Sequence, residues 1–178
     1  ERALGADMFE EDAGHFWGIL ETRPYMRARE GLARCLWELG ERQEAISHYK
    51  EMLRLNPNDN QGVRYVLLDC LLAMGRDEEA GTLLAEYEDD GSAAWEYNYA
   101  LWTFRREGDG PESRRRLKEA LRQNRHVPAY LLGRRRLPAR LPDFVGFGDE
   151  NEAVCYVADA LGNWRATDGA LSWLAGMK

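Results

Sequence analysis

Apolar side chains recur along this chain at intervals of three and four residues. Leu32, Leu36 and Leu39 form one stripe, Ile46, Tyr49 and Leu53 the next, and Val63, Val66, Leu67 and Leu71 a third. That spacing puts each set on one face of an α-helix and predicts short amphipathic helices with those faces buried. Strand signals are nearly absent. Threonine is scarce, alternating apolar and polar runs are missing, and no Asn-Gly or Asp-Gly turn joins two β-branched stretches. The pattern predicts an all-α fold.

The helices repeat. Four segments share the form glycine, three residues, glutamate, small residue: Gly40 to Glu44-Ala45, Gly75 to Glu79-Ala80, Gly108 to Glu112-Ser113, and Gly148 to Glu152-Ala153. Their glycines step by 35, 33 and 40 residues, a near-constant period that a chance match would not sustain. Each part has a physical role. Glycine lets the backbone turn left-handed as one helix gives way to the next. Acidic residues suit the positive N-terminal end of the second helix. The small residue marks the closest approach of two antiparallel helices, and the bulky residue four places on (Tyr49, Leu84, Leu117, Val157) fills their core. Asn56-Pro57 stops the second helix of the first pair, because a residue before proline is pushed out of the α region.

This unit resembles the tetratricopeptide repeat, a helix-turn-helix of about 34 residues. The resemblance implies a right-handed α-solenoid with capping helices at both ends. It places three units at about 26–59, 61–94 and 94–127. Residues 128–178 then form an irregular fourth unit with a basic insertion, Arg134 to Phe144, and a C-terminal cap. Its helices are expected at about 128–133, 150–164 and 171–174. Residues 1–23 are expected to be capping helices that end an upstream repeat; a detached peptide lying in the groove is the alternative. Stretches such as Glu21 to Met26 and Leu55 to Asn60 also resemble the repeat region of larger bacterial proteins of this family, and the start at Glu1 rather than Met agrees with a longer parent chain.

Family groove positions, carried over residue by residue, imply a partner-binding face. The first unit supplies Arg27, Glu30, Arg34, Trp37 and Glu38, the second Tyr65 and Asp69 among others, and the third Trp95, Asn98, Trp102, Arg105 and Arg106. Trp, Tyr and Arg are the types enriched at binding hot spots. The alternative is that some of these tryptophans pack between helices.

Composition narrows the function classes. Twenty-four basic residues against 31 acidic ones leave a net charge of −7, so the chain as a whole is not a basic nucleic-acid binder. The charge is uneven, however: residues 105–140 hold 12 basic and 4 acidic side chains, with runs at Arg114, Arg115, Arg116 and at Arg134, Arg135, Arg136. Such runs are either solvated faces or a patch for an acidic partner. No apolar run approaches the roughly 18 residues that span a bilayer, and a cytoplasmic location without membrane partners is expected.

Catalytic chemistry finds no foothold in the sequence. His15, His48 and His126 fall in different units and form no metal-binding pair. Cys35, Cys70 and Cys155 lie at no zinc or redox spacing, and buried structural thiols are expected. Gly146-Phe-Gly148 lacks the ending of a phosphate loop. The sequence therefore predicts no enzyme and no cofactor, but a scaffold that takes a protein or peptide segment, possibly acidic, in its groove. The rivals are a nucleic-acid module built on residues 105–140 and a structural or self-associating spacer.

Overall fold

A computed structural model describes residues 4–177. Residues 1–3 of the expected N-terminal cap, and residue 178 of the closing segment, lie outside the described residues. The chain is all-α, and no strand occurs among the described residues. It divides into two compact units, residues 1–70 and 71–178.

In the first unit, α1 (Ala6–Glu11) is followed by two short 3-10 turns, then α2 (Arg23–Leu39), α3 (Arg42–Leu55) and the larger part of α4 (Val63–Ala73). Pro24 opens α2, where a missing N–H costs nothing. Gly40 closes it with φ 90°, its N–H bonding to Trp37 O at 3.2 Å while Glu41 N–H reaches Leu36 O at 2.9 Å. This paired closure satisfies the last helical carbonyls. Leu71 and Leu72 accept in the same way from Arg76 and Gly75 after α4. All four motif glycines adopt positive φ, as their spacing predicts. Asn56 is non-helical before Pro57, and α3 ends at Leu55 as expected.

The core of this unit is built from α3: Ala45, Ile46, Tyr49, Met52 and Leu55 are buried, with Met26 and Ala33 of α2 and Val63, Leu67 and Leu68 of α4. The expected stripe of α2 is corrected here. Leu32 and Leu39 are 47% and 78% exposed, because the face of α2 that is buried runs through Met26 and Ala33, not through the leucines. Val66 is likewise exposed, at 45%. Residues 4–22 are packed rather than detached. Phe16 is fully buried between Phe9 and Tyr25, with ring centroids 5.1 and 6.1 Å away, and Gly14 N–H bonds to Leu55 O at 3.0 Å.

The second unit holds the end of α4, then α5 (Asp77–Glu86), α6 (Ala93–Glu107), α7 (Pro111–Gln123), α8 (Val127–Leu131), α9 (Glu150–Ala166) and α10 (Ala170–Gly176). Ala80, Ser113 and Ala153, the small residues of the motif, are buried, and so are Leu84, Leu117 and Val157 four places on. Ala100, Ala120 and Ala160 let helices approach closely around Tyr97 and Trp164. Trp173 of α10 closes the core, stacked on Phe104 at 4.4 Å.

Several buried polar groups here are matched to partners. Trp164 Nε1–H donates to the Tyr156 hydroxyl at 2.7 Å, and that hydroxyl donates to Asn98 Oδ1 at 3.0 Å. The buried Glu152 carboxylate accepts from Ala93 N–H (2.9 Å), Asn124 Nδ2 (2.9 Å) and Gly148 N–H (2.7 Å). One side chain of α9 thus caps the start of α6, grips the end of α7 and fixes the loop before its own helix.

Candidate partner-binding site

The candidate groove residues of the first unit remain on the surface. Arg27 and Arg34 are exposed, and Trp37, Tyr65 and Asp69 are half-buried. Their neighbours modify them. Arg27 and Arg23 lie over the Trp17 ring at 5.7 and 5.4 Å, Arg42 over Trp37 at 5.3 Å, and Arg64 over Tyr65 at 4.5 Å. Gln61 Nε2 donates to Glu30 at 2.8 Å, joining α2 to the turn before α4. Arg34, Glu30 and Glu38 act electrostatically on the Tyr49 hydroxyl, whose pKa is pushed up to about 12 chiefly by burial.

In the second unit the expected face of α6 splits. Trp95 and Asn98 are each 1% exposed and present nothing to a partner, which corrects their placement in the groove. Trp95 lies edge-on to Tyr87 near the end of α5, with ring centroids 6.0 Å apart. Asn98 is covered by α9 and spent on Tyr156. Asn98 is enclosed because the irregular helix α9 packs beside α6, whereas Trp95 is buried on the side of α6 that meets Tyr87 at the end of α5.

Trp102 is half-buried and packs against α5. Its Nε1–H donates to Asp77 O at 2.6 Å, and its ring sits so close to Gly81 that a Cβ there would come within 2.5 Å. Arg106, exposed, covers the indole at 4.8 Å. Arg105 is tethered rather than free. Nη1 donates to Leu72 O at 2.7 Å, supplying a positive charge to the C-terminal end of α4, and Nη2 pairs with Asp77 at 3.0 Å.

An open cleft of about 640 Å3 lies beside Arg105 within the second unit. Its lining includes Leu72, Met74, Gly75, Asp77, Phe104 and Arg105, with Thr167 and Asp168 from the α9–α10 corner. Such a volume falls in the range of ligand pockets. Its charge differs from the sequence expectation: Arg105 is already matched by Asp77, and the exposed Asp168 is outside any ion pair among the described residues.

The basic stretch is answered in part from within. Arg114 pairs with Asp109 at 2.6 Å, Arg115 with Glu112 and with Glu119 (2.7 Å to the latter), and Arg116 with Glu112 at 3.4 Å while lying over Tyr99. Arg135 pairs with Glu150, whose carboxyl is held low by the Tyr130 hydroxyl first and by Arg135 second. Arg134 and Arg136 are exposed and outside any ion pair among the described residues.

Two further features carry no motif in the sequence. Phe144 and Phe147 stand 86% and 81% exposed on the loop before α9. Glu152 shares the motif position of Glu44, Glu79 and Glu112, yet of these four it alone is buried. No group of three His, Cys, Asp or Glu side chains among the described residues could hold a metal ion. Cys70 is buried and its thiol is pushed up to about 12 by that burial, with Asp69 adding to the rise. Cys35 departs from the expected buried state and is exposed. No described helix is long and apolar enough to cross a membrane.

A family model for the tetratricopeptide repeat matches residues 36–96, from the last turn of α2 to the first turn of α6. That segment is a tetratricopeptide-type repeat, in agreement with the resemblance read from the glycine motif. No curated protein and no solved structure matches the chain. Repeats of this type generally mediate protein–protein interaction and typically serve as non-enzymatic scaffolds.

Proposed function

We propose that this tetratricopeptide-type protein is an interaction module that takes a protein segment in the cleft of its second unit. The observation that carries the reading is the cleft itself: an open cavity lined in part by Met74 and Phe104, with Arg105 in its lining held by Leu72 O and Asp77. A lining held in place lowers the ordering cost of binding. The segment that fits carries an apolar side chain into the cleft and a basic group toward Asp168. The acidic ligand that groove arginines suggest does not suit a cleft whose only guanidinium is already paired. Binding through Trp95 and Asn98 is not part of the proposal, since both are buried.

The nucleic-acid alternative loses its strongest run, because Arg114, Arg115 and Arg116 are matched by acids on the same turn or helix. Peptide display against the chain tests the main reading. Peptides selected on the wild type are expected to lose at least tenfold in affinity for Met74→Glu and for Asp168→Lys, and to be enriched in Phe, Leu or Met beside Lys or Arg. Wild-type affinity of both variants for every selected peptide would overturn it.

A further inference from the structure

We propose that the segment entering the cleft is the 141–147 loop of a second copy of this chain, which then associates head to tail. This rests on the cleft being a binding site and names its occupant. Phe144, Phe147, Val145 and Leu141 are 86%, 81%, 53% and 46% exposed, so one short loop carries a concentrated apolar patch. Patches of that kind mark contact surfaces.

The loop is held in shape. Asn151 Nδ2 donates to Phe144 O at 2.8 Å, Gly146 N–H to Asp149 Oδ2 at 2.9 Å, and Gly148 N–H to Glu152 at 2.7 Å. A loop fixed by the first turn of α9 presents its rings ready-made, and little further order is lost on docking.

Charge selects a second copy as the occupant. Arg135 and Arg140 beside the loop are engaged by Glu150 and Asp143, whereas Arg134 and Arg136 are exposed and unpaired among the described residues. At the cleft, Asp77 is engaged by Arg105, whereas Asp168 on its wall and Glu78 on the first turn of α5 are exposed and outside any ion pair among the described residues. Two cations beside an apolar knob thus complement two carboxylates beside the cleft, none of the four in an ion pair among the described residues. The loop of the same chain does not line that cleft. Knob and cleft are different surfaces, so the contact is heterologous and propagates rather than closing as a two-fold dimer.

Sedimentation velocity on the whole chain, from about 5 to about 500 µM, reads the association. The wild type is expected to grow with concentration. Phe144→Ser/Phe147→Ser, both exposed and harmless to the core, is expected to weaken association at least tenfold. Arg134→Asp/Arg136→Asp and Glu78→Arg/Asp168→Arg should each do the same alone, while an equal mixture of the two charge variants regains concentration-dependent growth, since the reversed loop of one meets the reversed cleft of the other and the unchanged loop and cleft still match. A wild type that stays monomeric throughout, or a mixture that does not associate, overturns the proposal. Partition of a monomeric wild type onto phosphatidylserine vesicles, lost in the Phe variant, overturns it in favour of a lipid surface. If selected peptides still depend on Met74 and Asp168 while the chain stays monomeric, only the occupant is wrong; if they do not, the cleft is wrong as well.

Discussion

Replacing Glu152 by alanine separates a motif residue that holds the fold from one that only decorates a helix start. The lost carboxylate accepts three hydrogen bonds, from Ala93 N–H, Asn124 Nδ2 and Gly148 N–H. Hydrogen bonds to a charged group contribute about 1.5–3 kcal/mol each, and a buried donor left without an acceptor costs about 1–3 kcal/mol. Ala93 is fully buried and its N–H stays unpaired in the variant, while Gly148 is half-exposed and water replaces part of its loss. The sum therefore lies on the order of 3–5 kcal/mol, a large share of an ordinary domain's stability. Glu112 holds the same motif position on α7 but is exposed, and its partners Arg115 and Arg116 are surface groups. Glu112→Ala is expected to cost about 1 kcal/mol or less. Glu152→Gln falls between the two, because its amide oxygen keeps some donors while its NH2 opposes another. Urea unfolding followed by tryptophan fluorescence measures all three, with Trp164 and Trp173 reporting from the same core. Were Glu152→Ala within about 1 kcal/mol of Glu112→Ala, the carboxylate would not be the joint described.

Other consequences can be checked in the same way. Gly81→Ala gains about 1 kcal/mol of helix propensity but drives a methyl into the Trp102 ring, so net destabilisation is expected; in a Trp102→Leu background the sign reverses to stabilising, which chemical denaturation shows directly. Trp95→Ala is expected to cost about 3–5 kcal/mol and half-buried Trp37→Ala about 1 kcal/mol; similar values would restore Trp95 to the surface. Burial raises Cys70 from about 9 to about 12 and Tyr49 from about 10 to about 12. Above pH 9 the unfolded chain releases protons that the folded chain retains, so stability present below pH 9 falls as pH rises toward 12, and Cys70→Ala flattens the first part of that fall in denaturant titrations. With a thiol reagent at pH 8, Cys35 is expected to react at once and Cys70 only on unfolding; equal rates would contradict their exposure.

The sequence by itself determined the helices and the pairing of α2 with α3 and of α6 with α7. A glycine-to-glutamate motif at near-constant period is local chemistry: a left-handed turn, a dipole-matched helix start and a small residue at the crossing act within a few residues of each other. They therefore read out without tertiary knowledge, as do the stop at Asn56-Pro57 and the irregular last pair. Only the tertiary structure decided which side of each helix is covered. Leu32 and Leu39 look like core and are exposed, while Trp95 and Asn98 look like groove and are enclosed. Four glutamates at one motif position cannot be told apart in sequence, yet Glu152 alone is buried, because α9 packs against α6 from 59 residues away. The same distance effect turned Arg105 from a candidate ligand contact into a tether, since Leu72 O and Asp77 reach it only once α4, α5 and α6 have met. Periodicity records which residues share a face; burial and charge pairing depend on what that face meets, and the partner lies too far along the chain for spacing to encode it.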